Sequence, residues 1–297
     1  MPNTGANSLR IAVTLFRYRG GISSITLAEV TRPSAILGIM NILFISDIFG
    51  KPGREALLVK LPQMVEEYSA DLVIANGENT ASGAGITSKI AEKLLAGGVD
   101  VITTGNHVWR QKEVIPFLNR SDRIIRPANY LAENPGRGWT VVERNGIGVA
   151  VINLSGNLYI GAPHGAFQVI GEVLAEIPGE VRHIILDFHA EATSEKVAMG
   201  HYLDGRVTAV IGTHTHVQTA DAKVLPKGTA YITDAGMTGP RNSVIGVKKE
   251  IIIQRFLTQM PVKFEVADDD VWIEGVLVSA DDEGRATDMR SLQVESD

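Results

Sequence analysis

Short apolar segments alternate with stretches of helical hydrophobic spacing from Met40 onward, and this alternation most constrains the fold. Residues 41–46 and 72–75 are the first two apolar segments, and a helical pattern separates them. Strands joined through helices predict βαβ units and a largely parallel sheet. In the second half, Asn145 and Gly146 lie between two further apolar segments and predict a hairpin. We therefore expect an α/β fold with mixed parallel and antiparallel sheets.

Five apolar segments are each followed at once by residues that can bind a metal ion. In chain order, these residues are Asp47; Glu78 with Asn79; Asn106 with His107; His189; and His214 with His216. Sites in open α/β sheets form where loops leave the carboxyl ends of the strands, so this fold would bring the whole set to one edge. Four of the seven histidines belong to the set, which favours one shared site over isolated structural roles.

The residue types in this set suit two adjacent cations. The chain has no cysteine, so thiolate ligands are excluded and only oxygen and nitrogen donors remain. Glu78 can bridge two ions with its two oxygens, and the histidines supply neutral nitrogen. Asn106 and His107 are neighbours and should point in different directions, so one can bind metal while the other faces a substrate. Two cations ~3.5 to 4 Å apart can share a hydroxide and clamp an in-line displacement at phosphorus.

Residues 212–216 read Gly-Thr-His-Thr-His and follow an apolar segment. In extended backbone every second side chain lies on the same face, so His214 and His216 should point the same way. A pair of surface histidines is the alternative interpretation of this stretch. Two imidazoles on one face would be half of a metal site, for which the other donors of the set could supply the remaining ligands.

Several motifs resemble those of one enzyme family. They are residues 46–54 (Ser-Asp-Ile-Phe-Gly-Lys-Pro-Gly-Arg), residues 76–79 (Asn-Gly-Glu-Asn), residues 105–107 (Gly-Asn-His), residues 212–216, and residues 233–240 (Thr-Asp-Ala-Gly-Met-Thr-Gly-Pro). From Met40 onward the chain resembles the calcineurin-like metallophosphoesterases. It is most similar to their YmdB-type branch, bacterial phosphodiesterases that act on 2′,3′-cyclic nucleotides. The resemblance implies a four-layer α-β-β-α sandwich with two mixed sheets.

The resemblance also implies a role for each residue of the set. Asp47, Glu78, Asn79 and His216 would hold one metal, with Glu78 bridging, and Asn106, His189 and His214 would hold the second. A metal-bridging hydroxide would attack the phosphorus in line, and His107 would act as general acid towards the leaving ribose oxygen. The implied cofactors are two divalent or trivalent metal ions, iron or manganese.

Two positions depart from the broad superfamily. Phe49 stands where many members have a histidine, and Glu78 stands where many have an aspartate. Both changes are expected within the YmdB-type branch. These changes remove a nitrogen ligand from the first metal, so the identity of that metal stays open. Two other functions remain as alternatives: a phosphomonoesterase or nucleotidase on the same scaffold, and a non-catalytic regulator that senses a nucleotide.

Substrate contacts are less well defined by the sequence. Arg54 lies at a predicted helix start, where the helix dipole favours an anion, so Lys51 or Arg54 could contact the substrate. Trp109 could stack on a base or pack in the core. Residues 234–240 could close over the site or form a subunit contact, and a homo-oligomer is allowed.

Residues 1–39 differ from the rest of the chain, with four arginines and a single acidic residue. We expect them to be a disordered extension or a misassigned start ahead of the domain at residues 40–297. The formal net charge of −6 repels long polyanions, so we expect a small phosphorylated nucleotide as partner and no DNA. No apolar run approaches the ~18 residues of a membrane span. Together with the absence of cysteine, this predicts a cytoplasmic protein.

Overall fold

The computed structural model describes residues 39–296, so the expected extension lies outside the described residues except for Ile39. The strands of the described part are β1 Met40–Ile45, β2 Leu72–Asn76, β3 Val101–Thr103, β4 Trp139–Arg144, β5 Ile147–Ser155, β6 His183–His189, β7 Ala209–Thr213, β8 Lys223–Val224, β9 Ala230–Ile232, β10 Gly239–Pro240, β11 Val271–Ala280 and β12 Ala286–Glu295. The helices are α1 Gly50–Glu67, α2 Ser88–Ala96, α3 Ile115–Arg120, α4 Ala166–Glu176, α5 Thr193–Leu203 and α6 Lys249–Thr258.

The strands form two six-stranded mixed sheets. In the first sheet β1, β2 and β3 are parallel, β11 pairs antiparallel with β1, and both β12 and β10 pair with β11. The second sheet has the order β4-β5-β6-β7-β9-β8, in which β5, β6, β7 and β9 are parallel and the outer strands are antiparallel. The predicted mixture of parallel and antiparallel pairing is confirmed.

Both faces of each sheet are covered. Alternate residues of β1, such as Ile42 and Phe44, pack between the two sheets, whereas Leu43 and Ile45 pack against α1 on the outside. The second sheet likewise packs its outer face against α4 and α5. Because central strands are buried on both faces, they read as continuous apolar segments rather than as alternating ones. The result is the predicted four-layer α-β-β-α sandwich.

Some elements differ from the sequence-based expectations. α4 was not predicted, since Gly165 precedes it and offers no capping side chain to mark its start. β6 extends to His189, so this histidine is the last residue of the strand rather than part of the following loop. No helix among residues 39–296 has both the length and the apolar character that crossing a bilayer requires.

Candidate metal centre

Glu78 lies at the centre of the predicted ligand set, just beyond the end of β2. Its Oε1 atom is 3.1 Å from Nε2 of His189 and 3.2 Å from Nδ1 of His107. Glu78 and His189 are both fully buried. Burial opposes ionisation of Glu78, but His189 and His107 hold its pKa well below the usual range. The carboxylate is therefore charged and available to a cation.

His189 joins Glu78 to two further donors. Its Nε2 atom lies 3.1 Å from Oδ1 of Asn106 and 3.0 Å from Nδ1 of His214. One ligand atom each from Glu78, His189 and His214 lies within 4.8 Å of the others. Burial opposes a charge on His189, yet Glu78 and Asp47 raise its pKa to about 9. These contacts favour a positive charge at the point where the donors converge.

A second group forms around Asp47, which follows β1 and is fully buried. The amide nitrogen of Asn79 lies 3.4 Å from Oδ1 of Asp47, 3.3 Å from Oε1 of Glu78 and 3.0 Å from Nε2 of His216. A half-turn of the amide would place its oxygen among these atoms and would turn its nitrogen towards Nδ1 of His107 in place of the oxygen that lies there now. Burial raises the pKa of Asp47, and a neighbouring cation would counter this effect.

Each histidine of residues 212–216 is oriented by a contact at one ring nitrogen, which leaves its second ring nitrogen facing the donor set. Nδ1 of His216 donates to the carbonyl of Ile245 at 3.0 Å, which leaves Nε2 facing Asn79 and Asp47. Nε2 of His214 lies 3.0 Å from Oε2 of Glu191, which leaves Nδ1 facing His189. His214 thus belongs to the His189 group and His216 to the Asp47 group.

The expected extended backbone through this stretch is wrong. β7 ends at Thr213, and His214 and His216 adopt positive φ angles of 101° and 64°. The backbone turns here, so the two imidazoles reach different groups without sharing a face. Thr215 anchors the turn, because its N–H and hydroxyl both donate to Oδ2 of Asp234, at 3.0 and 2.7 Å. Non-glycine residues with positive φ carry backbone strain, which concentrates at functional sites.

A buried network that the sequence interpretation missed orients His189. Its Nδ1 donates to the Thr213 hydroxyl at 2.9 Å, and that hydroxyl donates to Oδ1 of Asp187 at 2.6 Å. Asn76 donates to the other oxygen of Asp187 at 2.9 Å. Such outer hydrogen bonds fix the ring of a metal-binding histidine. The available signal was Asp187 itself, an acidic residue between the apolar residues Leu186 and Phe188 of β6.

Residues 234–240 neither cover the site nor form a subunit surface, since all of them are buried. Both alternatives for this segment are therefore wrong. Instead it connects the loop after β1 with the turn at residues 214–216. At the β1 loop, the N–H of Thr238 donates to the carbonyl of Asp47 at 3.0 Å, and the carbonyl of Thr238 accepts from the N–H of Phe49 at 2.8 Å. Asp234 holds Thr215 at the other end of the segment.

Gly105 makes the close packing of the donors feasible. A Cβ atom at this position would collide with Oε2 of Glu78 and with the ring of His189. Asn106, the next residue, can therefore reach His189 only because residue 105 has no side chain. The buried carboxylates, the converging nitrogens and this absence of a side chain fit a pair of bound cations.

His107 lies at the boundary between the donors and a cavity. Its Nδ1 donates to Oδ1 of Asn79 at 2.8 Å, and its backbone N–H donates to Oε2 of Glu78 at 3.1 Å. The side chain is 27% exposed, in contrast to the fully buried His189. It therefore has access to a molecule in the cavity as well as to the donor set.

The cavity has a volume of about 580 Å³ and is lined by Glu78, Asn79, His107, His214 and His216. Its remaining lining includes Ser82, Arg110, Ile245 and Phe264, none of which the sequence interpretation had singled out.

The proposed substrate contacts lie elsewhere. Lys51 pairs with Glu55 at 3.6 Å and lines a different cavity, and Arg54 donates to the carbonyl of Thr80 at 2.8 Å. Trp109 packs against the apolar cluster outside the first sheet, with its ring 6.2 Å from that of Tyr130. This position fits the interpretation that Trp109 packs in the core rather than stacks on a base.

A family model and several known proteins are similar to most of this chain. A family model described as "YmdB-like protein" matches residues 43–292. A 2′,3′-cyclic-nucleotide 2′-phosphodiesterase of Bacillus subtilis (strain 168) is 48% identical over 244 residues, which cover 82% of this chain and 92% of that protein. A hypothetical protein from Thermus thermophilus has a similar crystal structure, with a TM-score of 0.81, 39% identity, and coverage of 87% of this chain and 100% of that one. The crystal structure of a phosphatase from Mycoplasma pneumoniae is also similar, with a TM-score of 0.82 and 37% identity. The match covers 88% of this chain and 96% of that one.

Proposed function

Because the chain belongs to the YmdB-like family of calcineurin-like metallophosphoesterases, we propose that it is a dinuclear metal-dependent phosphodiesterase that hydrolyses 2′,3′-cyclic nucleotides. The convergence of Glu78, His189 and His214 beside an open cavity is the observation that carries this proposal. The substrate class follows the name of the Bacillus subtilis relative. A small phosphorylated nucleotide also suits a cavity of about 580 Å³.

We assign the ligands to two groups. Asp47, Glu78, Asn79 and His216 would hold one metal, and Asn106, His189 and His214 would hold the other, with Glu78 shared between them. When bound, the two cations would supply a hydroxide at neutral pH and stabilise negative charge on the phosphoryl oxygens. The family resemblance implies iron or manganese, both of which nitrogen and oxygen donors can bind, and we propose one of these as the resident metal.

His107 is our candidate for the general acid. Asn79 and Glu78 hold its Nδ1, whereas Nε2 has no hydrogen-bond partner among residues 39–296. We propose that Nε2 gives its proton to the 2′ oxygen of the ribose as the bond between that oxygen and phosphorus breaks. The phosphate then stays on the 3′ oxygen, and the product is a nucleoside 3′-monophosphate.

A substrate panel on metal-loaded protein tests the proposal. We expect turnover of 2′,3′-cyclic AMP to adenosine 3′-monophosphate, with weaker hydrolysis of bis(p-nitrophenyl) phosphate and of the monoester product. Faster release of inorganic phosphate from the monoester would instead support the nucleotidase. Tight nucleotide binding with negligible hydrolysis would support the nucleotide-sensing regulator.

Cellular placement and assembly complete the proposal. We propose that the protein acts in the cytoplasm, where cyclic nucleotides are present, and that it engages neither DNA nor a membrane. Cell fractionation with an antibody against the chain would check the first statement. A homo-oligomer stays a prediction, and light scattering coupled to gel filtration would measure the mass of the assembly.

A further inference from the structure

The donor set accounts for the reacting phosphate but not for the rest of a nucleotide. We propose that Phe264 and Ile245 form a nucleobase subsite and that Arg110 binds the reacting phosphate of the same substrate. This inference rests on the proposed function and adds the residues that would select a nucleotide over a smaller cyclic phosphate.

The apolar part of the cavity is the first argument. Phe264 and Ile245 both line it, although their side chains are 48% and 51% exposed. Exposed large apolar side chains that lie together in a cavity indicate a ligand surface, and an aromatic ring beside a nucleotide site can stack on a base. The guanidinium of Arg255 lies 5.1 Å from the centre of the Phe264 ring and helps to hold the ring in place.

The backbone at Ile245 links this surface to the metal donors. Ile245 has a φ of +47°, which is a strained value for a β-branched residue. Its carbonyl accepts the hydrogen bond from Nδ1 of His216, so one residue both orients a ligand and lines the cavity. The position of the apolar surface relative to the phosphate site is therefore set by the same contact that orients His216.

The charge of the cavity is the second argument. Glu78, Glu191 and Glu265 all contribute carboxylates to its lining, and Glu265 is paired with Lys248 at 3.0 Å. Among the described residues that line the cavity, Arg110 is the only arginine or lysine.

Arg110 is also well placed to bind an anion. Its guanidinium makes no hydrogen bond or ion pair within residues 39–296. The N–H of Arg110 donates to the carbonyl of His107 at 2.9 Å, which places the two residues in one turn. A guanidinium can bind two phosphate oxygens at once, so Arg110 suits the phosphate on which His107 acts.

Two substrates separate the two roles. 2′,3′-Cyclic AMP and glycerol 1,2-cyclic phosphate carry the same five-membered phosphate ring, but only the first has a base. Phe264→Ala should lower kcat/KM for cyclic AMP about 10-fold relative to kcat/KM for the glycerol compound. Arg110→Ala should lower both values by a similar factor of about 10- to 100-fold, and Arg110→Lys should recover part of the loss.

Phe256→Ala is the matched control, because Phe256 is a more exposed phenylalanine on α6 that does not line the cavity. It should leave the ratio of the two kcat/KM values unchanged. Metal content and thermal midpoint are measured for every variant, and Phe264→Leu, which keeps apolar bulk without a π face, should show a smaller loss than Phe264→Ala.

An unchanged ratio in Phe264→Ala would overturn the base subsite, and unchanged turnover of both substrates in Arg110→Ala would overturn the phosphate contact. If wild-type protein hydrolyses neither substrate, the proposed function fails. The subsite is then read from Kd values for adenosine 3′-monophosphate and glycerol phosphate. If Phe264→Ala weakens the binding of adenosine 3′-monophosphate more than that of glycerol phosphate, the subsite is supported. An equal change in the two Kd values would overturn it.

Discussion

The ammonium group of Lys196 lies 2.6 Å from Oδ2 of Asp234, and both side chains are only 1% exposed. The same carboxylate oxygen accepts two hydrogen bonds from Thr215, the residue between His214 and His216. α5 is thereby connected to the turn that carries two candidate metal ligands. A buried ion pair is costly to desolvate, so its main effect here is to position the turn.

Breaking this pair should destabilise the protein. Lys196→Met leaves the Asp234 carboxylate buried without its cation and should lower the free energy of unfolding by about 3 to 5 kcal/mol. Adding Asp234→Asn removes that charge and should regain part of the loss, as denaturant titration would show. Lys51→Met is the control, because the pair of Lys51 with Glu55 is exposed and should contribute less than about 1 kcal/mol. A double variant no more stable than Lys196→Met would contradict this account.

His107 and Glu78 should differ in their effect on metal content. His107→Ala removes the candidate proton donor and should lower kcat by about 10²- to 10⁴-fold while the metal is retained. Glu78→Gln should lose both activity and metal, because the carboxylate shared by the two metal groups is removed. Metal analysis and steady-state kinetics on the same samples check both statements. His201→Ala, an exposed histidine on α5, is the control. Unchanged turnover in His107→Ala at saturating substrate would show that His107 is not the general acid.

Gly105 should tolerate no side chain. Gly105→Ala places a methyl group against Glu78 and His189, so it should reduce metal content and activity together. Gly171→Ala is the matched control, since Gly171 lies within α4 and its added methyl group meets no atom within 4 Å. This control should keep its metal and gain about 0.5 to 1 kcal/mol of stability from the helix preference of alanine. Full metal content in Gly105→Ala would show that the loop can shift without cost.

His183 should make stability depend on pH, because it is 2% exposed at the start of β6. Burial lowers the pKa of His183 from its usual 6.5, although the hydrogen bond to the carbonyl of Asp281 opposes the shift. The unfolded chain then binds the proton more readily, so stability falls as the pH drops through 6.5. His183→Gln should lose less stability than wild type between about pH 7.5 and about pH 5.5 in denaturant titrations. Equal losses would contradict the assignment.

Much of the donor set could be predicted because it depends on local pattern. Each of its members follows an apolar strand or, like His189, ends one, and parallel strands of one sheet end at the same edge. Asp47 and Glu78 follow neighbouring parallel strands of the first sheet, so their proximity could be predicted from the pattern. His189 ends β6 of the second sheet, so it reaches Glu78 only through the packing of the two sheets. The orientation of His214 and His216 could not be obtained in this way, since it depends on positive φ values and on contacts with Asp234 and Ile245, both distant in the sequence.

By itself the sequence determined the α/β class with mixed sheets and the residues at the strand ends, because hydrophobic spacing is a local property. The four layers were implied only by the family resemblance that the short motifs carry. Only the tertiary structure decided which ring nitrogen faces which donor and that residues 234–240 are buried. It also decided that Arg110 and Phe264 share a cavity with His107. These features depend on packing between segments far apart in the chain, where side chains of ordinary type acquire a role only from the neighbours that the fold brings to them.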